Sequence, residues 1–492
     1  MTEKQQLILA ILLCCAYAGW VAWLVIRHWR QKRAQQHVDT GNVVVAYASQ
    51  TGTAKQIAEQ QAADIAKRQP VTLIALSDLT LEVLGRTEQA LFVVSTYGNG
   101  EPPDNGRGFA RKLQHSIRQK MGSLLGTLAF RVVALGDSSY PDFCAFGEQL
   151  NANLKQLGAS ESAPIERIDR VGSQALIQAA SDYSSSHHSP SMWRVTQQQQ
   201  LNKGAGRELY LVTLSATAPL PHWQAGDILD VQPHNSSIAV QAWLNKNGVS
   251  KDVFVPIDGT PRPIMSVLQA RQLNELPQVD SLIKEVAELP LLPLRSYSIA
   301  SVPAEGHVKL IIRKQYTDSG APGLGSGWLT TFADYDDVFC AYLKDNPVCH
   351  IANTDAPLLL IGAGSGLAGL RSQLAARVNA TSEADIWLIY GEQSPDNDDV
   401  LGPVLGQWQE ESALSLQVHK VFSRTEQGQY VQDAMRNMKD ELRNFIERGA
   451  HIYVCGSHKG MGEAVHNMLI TILGEDAFAD IVDEQRYHRD TY

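Results

Sequence analysis

From about residue 40 onward, short apolar runs alternate with stretches of helical periodicity. NVVVAYAS, ALFVVST and FRVVALGDSS are apolar without alternation, and each ends in a polar, glycine-bearing or hydroxyl-rich loop. That is the pattern of parallel strands buried on both faces and separated by crossover helices. SDYSSSHHSPS, at 181–191, is polar throughout and predicts a linker. Beyond 193 the period shortens to two. RELYLVTLSA, GDILDVQP, RSYSIASVP and HVKLIIRKQY carry strand alternation with Pro and Gly between them, which predicts an antiparallel barrel. A less regular, partly helical insertion runs from Pro233 to Pro293. The strand–helix alternation returns in PLLLIGAGSG, ADIWLIYGE, SLQVHKVFSR and HIYVCGS. The expected architecture is α/β plus β-barrel: a doubly wound domain over 40–183, a linker at 184–192, a barrel over 193–352 with its insertion at about 233–293, and a nucleotide-binding α/β domain over 353–492.

The chain begins differently. LILAILLCCAYAGWVAWLVI, Leu7 to Ile26, holds no charge and is long enough to cross a bilayer core as one helix. Trp20, Trp23 and Trp29 crowd its far end, and Arg27, Arg30, Lys32 and Arg33 follow. A cleaved signal peptide has the reverse order, with charge before the apolar run and small residues after it. Residues 1–33 are therefore expected to be a transmembrane anchor with a basic flank. The positive-inside bias then places a single-pass protein in the inner membrane with its body in the cytoplasm.

Composition narrows the classes of function. Of 492 residues, 44% are hydrophobic and 19% charged, which supports large cores rather than disorder. The formal net charge of -10 argues against nucleic acid as a partner, because phosphate neutralisation needs a basic face. Six cysteines form no CxxC pair and no zinc-ligand pattern, so no metal site is expected.

Three loops in the first α/β domain carry candidate chemistry. SQTGTA, 49–54, follows a strand and opens a helix, placing several N–H and O–H donors around one point, as a phosphate monoester requires. Taken singly, such a turn also serves as a plain N-cap. STYGNGEPPDN, 95–105, and LGDSSYPDFCAFG, 135–147, follow neighbouring strands and present Tyr97 and Tyr140. Two rings at adjacent strand ends suit a planar cofactor at a switch point. A lone loop tyrosine is more often surface packing.

The second half carries its own set. In RSYS, 295–298, alternation sends Arg295 and Tyr297 to one face and Ser296 and Ser298 to the other. An arginine fork suits a pyrophosphate, and the tyrosine offers a ring surface. GLGSGWL, 323–329, adds a glycine-rich turn before a helix. IGAGSGLAGL, 361–370, is a glycine loop after a strand, a weak signal alone. Ser423, Arg424, Tyr430 and Gln432 in SRTEQGQYVQ suit an adenosine 2′-phosphate, although Arg424 alone reads equally as a solvated surface cation. Cys455 stands at a strand end in VCGS, and the chain closes on RDTY with Tyr492 last.

Residues 40 to about 180 resemble a flavodoxin-type FMN domain. The order RSYS, GLGSGWL, GAGSG, YGE, SR…YVQ, VCG and RDTY resembles ferredoxin–NADP reductase-like modules. Joined, they resemble the diflavin reductases, of the sulfite reductase flavoprotein and NADPH–cytochrome reductase type. The resemblance implies three cofactors. FMN would be held by Ser49, Gln50, Thr51, Gly52, Thr53 and Ala54 at its phosphate, with Tyr97, Gly98, Asn99, Gly100, Tyr140 and Phe143 around its ring. FAD would be held by Arg295, Tyr297, Ser298, Gly323, Gly325 and Ser326. NADPH would be held by Gly362, Gly364, Gly366, Ser423, Arg424, Tyr430 and Gln432. Tyr492 would stack on the FAD ring and swing aside for nicotinamide, while Ser298, Cys455 and Asp490 orient the reacting atoms. Electrons would pass from NADPH through FAD and FMN to an external acceptor: a haem protein, a ferric chelate, a quinone or a membrane component.

The chain departs from that family in three places. The segment from Pro233 to Pro293 is short, Ala363 and Gly369 stand where prolines are common, and Gly428 replaces a lysine. The last change predicts a narrowed preference for NADPH over NADH. The competing function is a flavin-bearing redox sensor or scaffold without steady turnover.

Overall fold

The computed structural model describes residues 43–492 except 50–51, 97–99, 137–141, 170–189, 204–206, 258, 275–281, 318, 336 and 411–414. The expected membrane span, Leu7 to Ile26, lies outside the described residues. Among those described, no helix is long and apolar enough to cross a membrane. The chain divides into two compact units, residues 1–173 and 174–492.

The first unit is a parallel sheet of β1 (Val43–Ala48), β2 (Val71–Ala75), β3 (Gln89–Ser95), β4 (Ala129–Gly136), β5 (Ser160–Glu161) and β6 (Glu166–Asp169). The order is β2-β1-β3-β4, with β5 and β6 both pairing β4 at the far edge. Each face has a core. On one, Ala54, Ala58 and Ala62 of helix Thr53–Ala66 lie four apart and pack on Val45, Leu91, Val93 and Val133. On the other, helices Asp104–Arg118 and Ala145–Gln156 cover Phe92, Phe109 and Phe130, each fully buried and contributing about 1.5–3 kcal/mol. The chain leaves β1 for β2 on one side and returns to β3 on the other. The carboxyl ends of β1 and β3 therefore flank a switch-point crevice.

The second unit opens with β7 (Ser191–Gln200), β8 (Leu209–Ala216) and β9 (Ile228–Val231). The insertion follows, with helix Ser237–Lys246 capped by Ser236, hairpin β10 (Phe254–Ile257) and β11 (Thr260–Pro263), and a small core of its own. Then come β12 (Arg295–Ser298), β13 (Val308–Arg313) and β14 (Val338–Lys344). The antiparallel order is β12-β9-β14-β7-β8-β13, and a bridge between Ile299 and Leu310 brings the last strand back to the first. This closes a six-stranded barrel around Trp193, Val212, Leu229, Leu310 and Phe339. Alternation along β7 sends Trp193 and Val195 inward and Arg194 outward.

The chain ends in a parallel sheet of β15 (Leu358–Ala363), β16 (Ile386–Glu392), β17 (Leu416–Phe422), β18 (His451–Gly456) and β19 (Tyr487–Thr491), ordered β17-β16-β15-β18-β19. Strands β15 and β16 are almost wholly buried, as their unbroken apolar runs require. This sheet is fixed to the barrel by polar contacts. Arg371 forks onto Glu305 at 2.9 and 2.8 Å and stacks over Trp408, while buried Asp227 accepts from Asn346 N at 2.9 Å and pairs with His350 at 2.6 Å. The last strand pairs in register with β18, so the terminal residue is delivered to the carboxyl edge of the sheet.

Candidate active site

In the first unit, the expected phosphate loop leaves the carboxyl end of β1. Gly52 caps helix Thr53–Ala66 with φ of 88°, a left-handed conformation that glycine adopts without steric cost. Ser49 N donates to Asn105 Oδ1 at 3.0 Å, and Ser49 Oγ is buried without a hydrogen-bond partner among the described residues. An orphaned hydroxyl at a helix N-terminus fits an anionic phosphate. Thr53 and Ala54 form the first turn, with Ala54 fully buried against the sheet. Gly100 has φ of 89°, and a Cβ there would stand 3.2 Å from both Ala145 and Asp142, so the loops after β3 and β4 close on one another. Phe143 is half-buried and packs on the core beneath its loop. Gln50, Thr51, Tyr97, Gly98, Asn99 and Tyr140 lie outside the described residues.

On the barrel, Ser296 Oγ donates to Asp230 at 2.5 Å on one face of β12, while Arg295 and Tyr297 share the other, as alternation requires. The glycine turn sits directly on that second face. A Cβ at Gly325 would come within 2.6 Å of Arg295 Cγ and 2.7 Å of the Tyr297 hydroxyl. Gly323 N donates to Gln315 O, and Ser326 Oγ accepts from Gln315 N at 3.0 Å, which locks the turn. The first-turn N–H groups of helix Leu324–Gly327 have no carbonyl within their own helix. Arg295, Tyr297 and these amides form a cradle fit for a pyrophosphate and a ring.

The loop after β15 packs against the end of β18. Cβ atoms at Gly362 and Gly366 would stand 2.5 and 2.0 Å from the Cys455 carbonyl oxygen, so only glycine permits this approach. Gly364 has φ of 59°. One strand over, Ser423 N donates to Glu392 O at 3.0 Å and Arg424 N to Gln393 O at 2.8 Å. Tyr430 is 64% exposed at the N-cap of helix Val431–Asn437, and Gln432 is half-buried in its first turn. A Cβ at Gly428 would stand 2.4 Å from Ser423 O; the tight turn itself demands glycine there.

The barrel and the sheet meet at a buried polar cluster. Asp490 of β19 accepts hydrogen bonds from Ser298 of β12, from the Cys455 thiol at 3.5 Å and from the Tyr453 hydroxyl at 3.4 Å. Burial pushes the Asp490 carboxyl above its ordinary range against those three donors, and it also raises the Cys455 thiol and the Tyr453 phenol. Beside them Tyr492 is 58% exposed; its hydroxyl donates to Ser365 Oγ at 2.8 Å and its amide to Gly456 O. Three of the four expected catalytic residues thus share hydrogen bonds, with the fourth at the mouth of the glycine loop.

Sequence reading missed several residues that the fold brings here. Tyr453 is two positions before Cys455 and so shares its strand face. Arg207, two positions before β8, has its pKa lowered by burial and by the neighbouring cations Arg313 and Arg424. Three guanidinium groups from three separate segments gather at this edge, with the carboxylates of Glu392 and Asp398 among them. Among the described residues, no group of three or more His, Cys, Asp or Glu is arranged to hold a metal ion.

Comparison with known proteins agrees with the two α/β domains. The flavodoxin family model matches residues 45–182, and the oxidoreductase NAD-binding domain model matches residues 360–467. The chain is 27% identical to the sulfite reductase [NADPH] flavoprotein alpha-component of Bacillus subtilis, across 92% of this chain and 89% of the relative. Alpha-components from Pectobacterium atrosepticum, at 27%, and Vibrio cholerae, at 26%, also match across 92% of this chain and 89% and 88% of their own lengths. The expected single-pass inner-membrane localisation is corrected by these relatives, sulfite reductase flavoprotein alpha-components that match across 92% of this chain; the expected span itself, Leu7 to Ile26, lies outside the described residues.

Proposed function

We infer that this chain is an NADPH-dependent diflavin oxidoreductase that uses FMN, FAD and NADPH, as the flavodoxin and NAD-binding matches and the sulfite reductase flavoprotein relatives support. The observation that carries the reading is the convergence of Ser298 from the barrel with Cys455 and Asp490 from the sheet, beside a terminal tyrosine at the glycine loop. When bound, the flavins supply the hydride acceptor and the electron outlet that side chains cannot.

The protein's part is placement. Ser49, Gly52 and the amides opening helix Thr53–Ala66 hold the FMN phosphate. Arg295 and the Gly323–Ser326 turn would hold the FAD pyrophosphate, and Tyr297 would offer its ring to the flavin. Arg207, Arg424 and Ser423 hold the phosphates of NADPH, and the glycine loop lets its backbone approach closely. Tyr492 would be the residue that shields the flavin and yields to nicotinamide, since its side chain is tied by one hydroxyl bond to Ser365. Asp490, fixed by three donors, would be placed to orient the nicotinamide and to offset positive charge there. The acceptor is a separate haem-bearing protein, a reading supported by the sulfite reductase relatives; a ferric chelate or quinone is the alternative acceptor.

A flavin count on the purified full chain, with anaerobic NADPH- and NADH-driven ferricyanide reduction, tests this reading. One FMN and one FAD per chain with a higher specificity constant for NADPH is the expected result. A missing flavin, or no steady turnover, would leave a flavin-bearing sensor or scaffold instead.

A further inference from the structure

Arg313 ends barrel strand β13, and Glu392 ends strand β16 of the sheet. Their side chains are 11% and 4% exposed and meet at 2.7 Å between Nη2 and Oε1. The other arm of the guanidinium, Nη1, donates to the Arg207 carbonyl at 2.7 Å. Glu392 Oε1 also meets the Tyr390 hydroxyl at 3.1 Å, and that hydroxyl lies 2.8 Å from Gly364 O in the glycine loop. The backbone oxygen of Glu392 accepts from Ser423 N at 3.0 Å. A Cβ at Gly364 would stand 3.0 Å from Arg313 Nη2, so the cation lies directly against the loop.

We propose that Arg313 is a positioning residue for the dinucleotide, compensating the buried Glu392 carboxylate and so holding the Arg207 segment, the Gly364 loop and the Ser423 turn in one arrangement. The inference rests on the dinucleotide reading given above. A carboxylate beside a site for a polyanionic ligand repels it unless a cation neutralises the charge. The groups facing Glu392 are Arg313, Asp398, Tyr390 and Arg207. Burial pushes the Glu392 carboxyl up, and Arg313 opposes that shift. Only a planar fork can reach the Arg207 carbonyl and the carboxylate together; a lysine cannot do both. The junction between barrel and sheet already has its own staple in Arg371 and Glu305, so a second staple is not what the location calls for.

The test is calorimetric binding of NADP+ to the flavin-loaded full chain at pH 6.5 and pH 8.5, alongside melting temperatures. The variants are Arg313→Gln, Arg313→Lys, Glu392→Gln and the double Arg313→Gln/Glu392→Gln. Arg313→Gln is expected to weaken binding about tenfold or more at pH 8.5, with the loss no larger at pH 6.5, since burial already favours the protonated Glu392 and a falling pH works in the same direction. Adding Glu392→Gln is expected to recover most of that loss, and Arg313→Lys to fall between wild type and Arg313→Gln. A lowered melting temperature with NADP+ affinity within twofold of wild type would make the pair a structural staple and overturn the proposal. No recovery in the double variant would overturn charge compensation. Failure of the wild type to bind NADP+ would instead remove the dinucleotide reading, and this inference with it.

Discussion

Cys455 and Asp490 lie opposite one another in adjacent parallel strands, and the thiol donates to the carboxylate at 3.5 Å. The carboxyl is buried, and its pKa is raised above the ordinary 3.8. A raised folded-state value contributes stability that is fully present below the unfolded value and is lost as pH rises through the folded one. A charge on Asp490 is therefore costly in the folded state, and Asp490→Asn removes that cost. The variant should melt at the same or a higher temperature than wild type at pH 7.5, and this advantage should vanish toward pH 4. NADPH-driven flavin reduction should slow on the order of 10- to 100-fold, since the amide cannot balance developing positive charge. Stopped-flow absorbance and thermal melts check both halves; a rate within twofold of wild type would remove Asp490 from the site.

Ser49 carries the corresponding claim for the other flavin. Its hydroxyl is buried and has no partner among the described residues, so removing it breaks no bond there. A hydrogen bond to a charged phosphate contributes about 1.5–3 kcal/mol, or roughly a tenfold or greater change in affinity. Ser49→Ala should release FMN more readily by that factor while the flavin-free protein remains as stable as wild type. Equilibrium fluorescence of released FMN measures it. Unchanged affinity would place the phosphate elsewhere.

Much of this arrangement is legible in the sequence, and the reason differs from element to element. The runs VVVAYA and LLLIGA are buried on both faces, so periodicity alone identifies them as parallel strands. RSYS alternates, and the structure keeps Ser296 on Asp230 and Arg295 on the glycine turn. Glycines 362 and 366 were visible because close approach to Cys455 leaves no other residue. The pairing of Arg313 with Glu392 was not visible, although YGE itself stood out. The two are separated by 79 positions, each ends a strand, and only the barrel's docking on the sheet makes them partners. Arg207 was hidden for the same reason, and Tyr453 because a tyrosine within an apolar run reads as core.

Arg371 and Glu305 give a prediction about stability. Burial works to raise the Glu305 carboxyl, but the Arg371 fork and Lys309 more than offset it and hold it below the ordinary 4.5. A depressed value contributes stability present above the unfolded pKa and lost as pH falls through the folded one. Arg371→Met should cost roughly 2–4 kcal/mol at pH 7, because it leaves a largely buried carboxylate short of its partner. The difference from wild type should shrink below about pH 4.5 as Glu305 protonates in both proteins. Urea unfolding followed by tryptophan fluorescence at pH 7 and pH 4 measures this, and an equal loss at both would refer the effect to packing over Trp408 instead.

Gly428 gives a prediction that runs against the sequence. Its place in the Ser423–Tyr430 turn is where a lysine would add a cation for the adenosine 2′-phosphate, and Gly428→Lys should then raise discrimination against NADH. The turn forbids that gain. A Cβ would sit 2.4 Å from Ser423 O and 3.0 Å from Thr425 O, both backbone atoms that cannot step aside without moving Ser423 and Arg424. Relieving such a contact costs about 1–3 kcal/mol and displaces the residues that face the ligand. Gly428→Lys should therefore lower the specificity constant for NADPH several-fold and leave the NADPH-to-NADH ratio no higher than in wild type. Steady-state kinetics with both dinucleotides checks it. A raised ratio with an unchanged melting temperature would mean that the turn yields and that the missing lysine, rather than the geometry, limits the preference.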